Sequence, residues 1–274
     1  TTDKPAFVLT PGTAPLLISM PHAGTYLPAT LAQRMTADAL AVPDTDWHMD
    51  RLYDFAAELG ASVLVATHSR YVVDLNRPPD DANLYPGRDT TSLCPTDTFD
   101  KQPLYLPGQA PDATEKAERV QAVWRPYHDA LSGELQRLRA RHGWVALWDA
   151  HSIRSVVPRL FEGRLPDFNL GSADGSACGP EVARQVVARA EAARGYTSVL
   201  NGRFKGGYIT RRYGDPAQRV QAMQLELAQI TYMEESLPFA FDESKAEQLR
   251  PHLRAMLEAF VAAAQAAGAG AAQR

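Results

Sequence analysis

The sequence predicts an α/β fold, a single-domain three-layer sandwich in which a mixed sheet is covered by helices. Two observations carry that expectation. Short apolar runs alternate with longer helical patterns along the whole chain, and 274 residues at 45% hydrophobic suffice for one large core. The first strand-like run, 16–20, opens on Pro15-Leu16-Leu17-Ile18. A helical pattern over 31–40 follows, then one over 47–59 whose face is visible in the three- and four-residue spacing of Leu52, Phe55, Ala56 and Leu59, with Gly60 placed to end it. Apolar runs at 62–67 and 71–75 read as further strands. The stretch 77–111, rich in Pro, Asp, Thr and Gly and without periodicity, reads as a long loop, which in a compact domain is often functional. A long helical pattern over 113–142 leads to an apolar run at 144–149. A second loop is expected over 154–179, a helix over 181–194 and a strand over 197–200. The domain is expected to span 1–274, with the Ala/Gly/Gln-rich stretch 262–274 a frayed helical tail.

A net charge of −4 and no basic cluster argue against nucleic-acid or anionic-membrane partners, and oligomeric state is left open. Cys94 and Cys178 form no C-x-x-C pair, so neither a disulfide framework nor a thiolate zinc site is expected, and a reducing cytoplasm fits. No apolar run approaches the roughly 18 residues of a membrane span, and no basic segment leads a long apolar one near the start. The initial Thr1 leaves the natural start open.

Two histidines stand where an apolar run gives way to a loop. His151 lies in Trp148-Asp149-Ala150-His151-Ser152, and His22 in Ser19-Met20-Pro21-His22-Ala23-Gly24. A rigid sheet aims such side chains at a cleft. A single strand-end histidine is more often a hydrogen-bonded core residue, but two together point to a metal. A hydrolytic metal site usually has three imidazole or carboxylate ligands and keeps one position for water. The run Asp44-Thr45-Asp46-Trp47-His48-Met49-Asp50 is dense in ligand types. Asp46 is the first choice for the third ligand, with Asp44, His48 and Asp50 as alternatives. Helix capping by Asp44, Thr45 or Asp46 is an equal reading of any one of them, and His48 and Asp50 fit a solvated helix face.

Glu226, in Met223-Gln224-Leu225-Glu226-Leu227, places a charge inside an otherwise apolar run. Buried without a partner it would cost several kcal/mol or be protonated, so a general base beside a cation is one reading and a surface helix position the other. Arginine forks grip carboxylates. Asn76-Arg77 ahead of the long loop, and Arg211-Arg212 after the pair Gly206-Gly207, are the strongest candidates, with Arg154 and Arg159 weaker. A serine-hydrolase reading lacks the G-x-S-x-G elbow and a nucleotide-binding reading lacks a glycine-rich phosphate loop.

Taken in order, SMPHAG around His22, DTDWH around Asp46, SRYVVDLNRPP through Arg77, WDAHS at His151, LFEGRLPDFNLG, NGRFKGGYITRRYG and QLELAQITYM resemble the N-formylglutamate amidohydrolase family over nearly the whole chain. The resemblance implies a zinc-carboxypeptidase-like α/β fold and hydrolysis of N-formyl-L-glutamate, a small dicarboxylate, to formate and L-glutamate in histidine degradation. It also implies one divalent ion, zinc first, with cobalt, manganese or iron as alternatives. His22 and His151 match two metal-binding histidines, with Asp46 in place of the glutamate that zinc carboxypeptidases carry three residues after the first histidine, where this chain has Thr25. Glu226 matches the catalytic glutamate. Arg77 would stabilise the oxyanion and, with Asn76, Arg154, Gly207 and Arg211, bind the substrate. Rival readings are a metal amidohydrolase acting on another N-acyl amino acid and a non-catalytic binder of an acidic metabolite.

Overall fold

The computed structural model describes residues 4–84, 87 and 89–270. Among them seven strands form one sheet in the order β1-β3-β2-β4-β7-β5-β6. The strands are β1 (Phe7–Thr10), β2 (Leu16–Met20), β3 (Ser62–Ala66), β4 (Val145–Ile153), β5 (Phe168–Gly171), β6 (Ser198–Leu200) and β7 (Val220–Ala228). The centre of the sheet, β3-β2-β4-β7, is parallel, while β1 joins β3 and β5 joins β7 antiparallel. The mixed α/β sheet expected from the sequence is therefore present.

Alternation along the central strands divides the interior into two cores. Leu16, Ile18 and Met20 of β2, Ala146, Trp148 and Ala150 of β4, and Met223, Leu225 and Leu227 of β7 share one core, completed by the helices α3 (Met49–Leu52), α6 (Pro180–Glu191) and α8 (Glu243–Gly270). Leu17, Val145, Leu147, Val220 and Ala222 face the other way. They pack under α1 (Ala29–Ala32), α2 (Ala37–Leu40), α5 (Arg125–His142) and α7 (Tyr208–Tyr213), with α4 (Ala113–Arg119) leading into α5. Successive strand residues point to opposite faces, so a sheet covered on both sides must be apolar at both phases.

Several elements depart from expectation, each for a local reason. Residues 71–75 are not a strand. Tyr71, Val72, Val73 and Leu75 are buried in the second core, yet the Asp74 N–H goes to the Leu93 carbonyl at 2.7 Å and the Val72 N–H to Ser69 at 2.9 Å. An apolar run records burial, and loop residues can be buried as well as strand residues. The 31–40 pattern is broken into α1 and α2, and the Thr36 hydroxyl caps the second by accepting the Ala39 N–H. Over 47–59 only α3 and a 3₁₀ turn at Asp54–Ala57 form, ending at Gly60 with φ of +65° as expected. The 113–142 helix contains a π-helical stretch, Val120–Trp124, between α4 and α5. The expected loop 154–179 contains β5, and α8 continues through Gly270 because Ala264 is buried and Gly268 packs on Trp144. Of the tail expected to fray, 271–274 lie outside the described residues.

His128 of α5 ties the second core to the loop after β3. Its Nε2 bonds the Leu75 carbonyl at 2.8 Å, its Nδ1 lies 2.9 Å from the Tyr213 hydroxyl, and its ring stacks on Trp124. That grip fixes the segment carrying Asn76 and Arg77.

Two outcomes follow from the packing. Trp148 is fully buried, bonds the Tyr53 hydroxyl through Nε1 and packs on Phe260. Trp148→Ala should cost about 3–5 kcal/mol, seen as a melting temperature lower by roughly 10 °C. Burial depresses His128 from 6.5 to about 4. The folded state thus favours the neutral ring, and the stability this gives is complete above pH 6.5 and lost as pH falls toward 4. Urea unfolding at pH 7 and pH 5 should show His128→Asn losing about 2 kcal/mol less than the parent chain over that interval. Equal losses would mean that His128 titrates alike in both states.

Candidate metal and hydrolytic centre

The C-terminal ends of the parallel strands β2, β4 and β7 meet at one edge, where helix cover gives way to a cleft. The side-chain phase that buries Val145 and Leu147 continues along β4 to Asp149 and His151. The phase that buries Val220 and Ala222 continues along β7 to Gln224 and Glu226. The apolar face of the strand thus turns into the polar floor of the cleft. In the β4–β7 register His151 stands directly opposite Glu226.

His22 follows β2 by two residues. Its path is fixed by Gly24, where a Cβ would lie 2.3 Å from the His68 carbonyl oxygen, closer than any side chain permits. The Asp46 N–H donates to the His22 carbonyl at 3.0 Å, and the Gln229 amide, just beyond β7, donates to the Thr45 carbonyl at 2.9 Å. These bonds bring the loop before α3 up to the strand ends. The result is a buried trio, His22, Asp46 and His151, whose ligand atoms lie within 4.8 Å of one another. Asp46 Oδ2 is 2.9 Å from His151 Nδ1 and 3.7 Å from His22 Nδ1.

Each imidazole is held from behind by a second carboxylate. His22 Nε2 is 2.6 Å from Asp74 Oδ1, and His151 Nε2 is 3.3 Å from Asp149 Oδ1 and 2.9 Å from Asn76 Nδ2. Asp149 receives the Ser19 hydroxyl at 3.4 Å and the Thr210 hydroxyl at 3.1 Å, while Arg70 donates to Asp74 Oδ2 at 2.7 Å and reaches to 4.0 Å from Asp46. This follows the carboxylate–histidine pattern that orients imidazoles around metals. Burial, with the nearby Arg70 cation, lowers the pKa of His22. For His151 burial acts the same way, but Asp149 and then Asp46 overcome it and raise the ring well above its ordinary value. Burial opposes ionisation of Asp74, but His22 and Arg70 hold it well below the usual carboxylate range. Burial raises Glu226 to about 8, opposed by His151 and reinforced by Asp46.

The other members of the 44–50 run face elsewhere. Asp44 accepts from the Tyr71 hydroxyl at 2.7 Å and the Phe99 N–H at 2.8 Å, His48 bonds the Phe239 carbonyl, and Asp50 is exposed. None of the three aspartate or threonine side chains at 44–46 caps α3, whose N-cap is His48 without a side-chain bond.

Of the expected substrate ligands, Asn76, Arg77 and Gly207 line the cleft. Asn76 is committed within the protein, since its Oδ1 accepts the Ile209 N–H at 2.8 Å and its Nδ2 meets His151. Gly207 is required there because a Cβ would lie 2.3 Å from Asn76 Nδ2. Arg154 and Arg211 are not among the lining residues. Arg154 pairs with Asp100 beside a separate small cavity, and the exposed Arg211 donates through Nε to the Gly206 carbonyl. Sequence reasoning did not assign Arg70, Asp74, Asp149 or Arg203, of which Arg70, Asp74 and Arg203 line the cleft and Asp149 backs His151. The signal for Asp74 and Asp149 was a charge inside an apolar run, as for Glu226.

The family model for N-formylglutamate amidohydrolase matches residues 14–233. A protein of Pseudomonas aeruginosa named N-formylglutamate deformylase is 56% identical over 251 residues, covering 92% of this chain and 94% of its own length. One of the same name from Pseudomonas putida is 52% identical with the same coverage. The crystal structure of N-formylglutamate amidohydrolase from Ralstonia eutropha superposes with a TM-score of 0.79 at 29% identity, covering 93% of this chain and 97% of that one. With 220 of its 274 residues inside the matched span, this chain belongs to the N-formylglutamate amidohydrolase family.

Proposed function

We propose that the chain hydrolyses N-formyl-L-glutamate to formate and L-glutamate, as the last step of a histidine degradation route, with help from a divalent ion. The observation that carries this reading is the convergence of His22, Asp46 and His151 beside Glu226 at the floor of a cleft walled by arginine. The names borne by close relatives support the substrate.

The donor set fits a divalent ion. Two imidazole Nδ1 atoms and one carboxylate oxygen converge in a buried space, and His22 Nε2 faces Asp74, a carboxylate that keeps that ring's proton on the far side. Zinc suits these donors first, and cobalt, manganese or iron(II) are compatible with them. Such an ion supplies a Lewis acid and lowers the pKa of water at the site.

Glu226 performs the proton transfers. Raised to about 8, its carboxyl exchanges a proton near neutral pH, and its place opposite His151 on the adjacent strand sets it beside the trio. It takes one proton from the water whose oxygen joins the formyl carbon, then passes that proton to the amide nitrogen as the C–N bond breaks. Gln224 steadies the carboxylate through a 3.0 Å bond from Nε2. Arg77 gives positive charge at the cleft wall to the α-carboxylate and to the charge that develops on the formyl oxygen. Both cysteines are buried free thiols, as suits a reducing cytoplasm. Among the described residues no helix is long and apolar enough to cross a membrane.

Formate and glutamate should appear in equal amounts from N-formylglutamate, disappear after thorough chelation and return with added zinc or cobalt. Activity untouched by chelation would defeat the metal-assisted reading, and release of another acid from another N-acyl amino acid at a higher kcat/KM would move the substrate. Glu226→Gln should keep its metal by elemental analysis while kcat falls at least ~100-fold. Near-normal turnover would remove Glu226 as the proton carrier.

A further inference from the structure

The segment 74–77 belongs to no strand, so its buried carbonyls take their donors from outside the sheet. His128 Nε2 meets the Leu75 carbonyl at 2.8 Å, the Tyr208 N–H donates to the Asn76 carbonyl at 3.2 Å, and the Trp124 indole N–H donates to the Arg77 carbonyl at 2.9 Å. Trp124 closes the π-helical stretch and His128 stands four residues on in α5, so the two share one helix face. Their rings stack with centres 3.7 Å apart. Together they grip the backbone on either side of Asn76. Stretches of π-helix recur at functional sites.

A buried indole usually finds an acceptor for its N–H, so the Trp124 bond by itself decides nothing. Its acceptor gives it meaning. Arg77 lines the cleft together with His22, His151 and Glu226, and Trp124 is not among the described lining residues. Pro78 and Pro79 follow Arg77, and neither offers an N–H to hold the chain there. The direction of the backbone at Arg77 is therefore set by the indole bond and by its own N–H, which donates to the Asp74 carbonyl at 3.2 Å. At the far end of the side chain, Nη2 meets the Thr91 hydroxyl at 3.4 Å. Trp124 can influence a molecule in the cleft only through Arg77.

We propose that Trp124 is a positioning residue for substrate binding. Its indole N–H holds the Arg77 backbone so that the guanidinium meets the substrate carboxylate, while His128 backs the indole and fixes Leu75. This rests on the assignment of Arg77 to the substrate made above. An Arg77 released from the indole keeps its charge but loses the fixed direction of its fork, which a two-bond contact with a carboxylate requires.

The test uses the full metal-loaded chain with N-formyl-L-glutamate. Trp124→Phe keeps a ring and loses the donor, whereas Trp124→His puts Nε2 at the ring position of the indole nitrogen and keeps it. kcat/KM should fall about tenfold in Trp124→Phe and less in Trp124→His. A role in packing alone ranks them the other way, because phenylalanine is the larger and more apolar filler. Trp124→Phe added to Arg77→Met should cost nothing further, since no fork remains to be positioned. Thermal stabilisation by glutarate reads the same grip without turnover. It should be largest in the parent, smaller in Trp124→Phe, and smallest in Arg77→Met, where adding Trp124→Phe changes nothing. Parent-like Trp124→Phe, a tenfold loss repeated in the Arg77→Met background, or Trp124→Phe outranking Trp124→His overturns the role of Trp124 and leaves that of Arg77 standing. If Arg77→Met matches the parent in both readouts, both roles fall. If the parent releases no formate, the hydrolytic reading fails and the glutarate series decides: the graded loss upholds Trp124, and stabilisation that is equal in all variants or absent from the parent overturns it.

Discussion

The nine-residue parallel register between β4 and β7 is the constraint on which the site depends. It sets His151 opposite Glu226, and because strand side chains alternate, a slip of one residue would send both into the apolar core beneath. The register is held along its length by packing on both faces. Trp148, Met223 and Leu225 fill one core, and Val145, Leu147 and Ala222 the other. Burial that looks purely structural therefore aims two ionisable groups at one cleft. β2, on the other side of β4, brings His22 to the same edge, and the bond from the Asp46 N–H to the His22 carbonyl adds the carboxylate.

The sequence was most informative where a polar group interrupts an apolar run next to a turn. His22 and His151 could be singled out on that ground, and Asp46 as one of several acidic neighbours. The strands that carry the histidines could be read because their apolar residues are continuous, as expected for strands covered on both sides. β7 was harder, since Gln224 and Glu226 break its apolar run and a helix fitted equally well. In the fold, Met223, Leu225 and Leu227 face one core while Gln224 and Glu226 face the cleft, a period-two signal shortened to five residues. The turn residues 71–75 misled in the opposite sense, being as apolar as a strand and as buried, but bonded to a loop carbonyl in place of a neighbouring strand.

The arginines show the limit of linear reading. Arg154 is three residues from His151, and Arg211 sits beside a glycine pair, yet neither lines the cleft, while Arg70 and Arg203 do. Proximity in sequence to a ligand says little once a strand has ended, because the following loop chooses its own direction. Arg203 comes from the loop after β6, three positions from β4 in the sheet order, and only tertiary structure brings it round. Arg70 is recognisable only through what it neutralises, since Asp74 and Asp46 lie beneath it.

Charge balance links the floor of the cleft to its walls. Asp46, Asp74, Asp149 and Glu226 are all buried, and such a group of carboxylates is costly unless cations or protons offset it. Arg70 and His22 offset Asp74, His151 stands between Asp149 and Asp46, and Glu226 responds by holding its proton up to about 8. A divalent ion among His22, Asp46 and His151 would relieve this excess of negative charge at the point where it is greatest. Asp46, Asp74 and Asp149 each have an imidazole or a guanidinium beside them, whereas Glu226 has the Gln224 amide and a raised pKa, and Arg77 lines the same cleft.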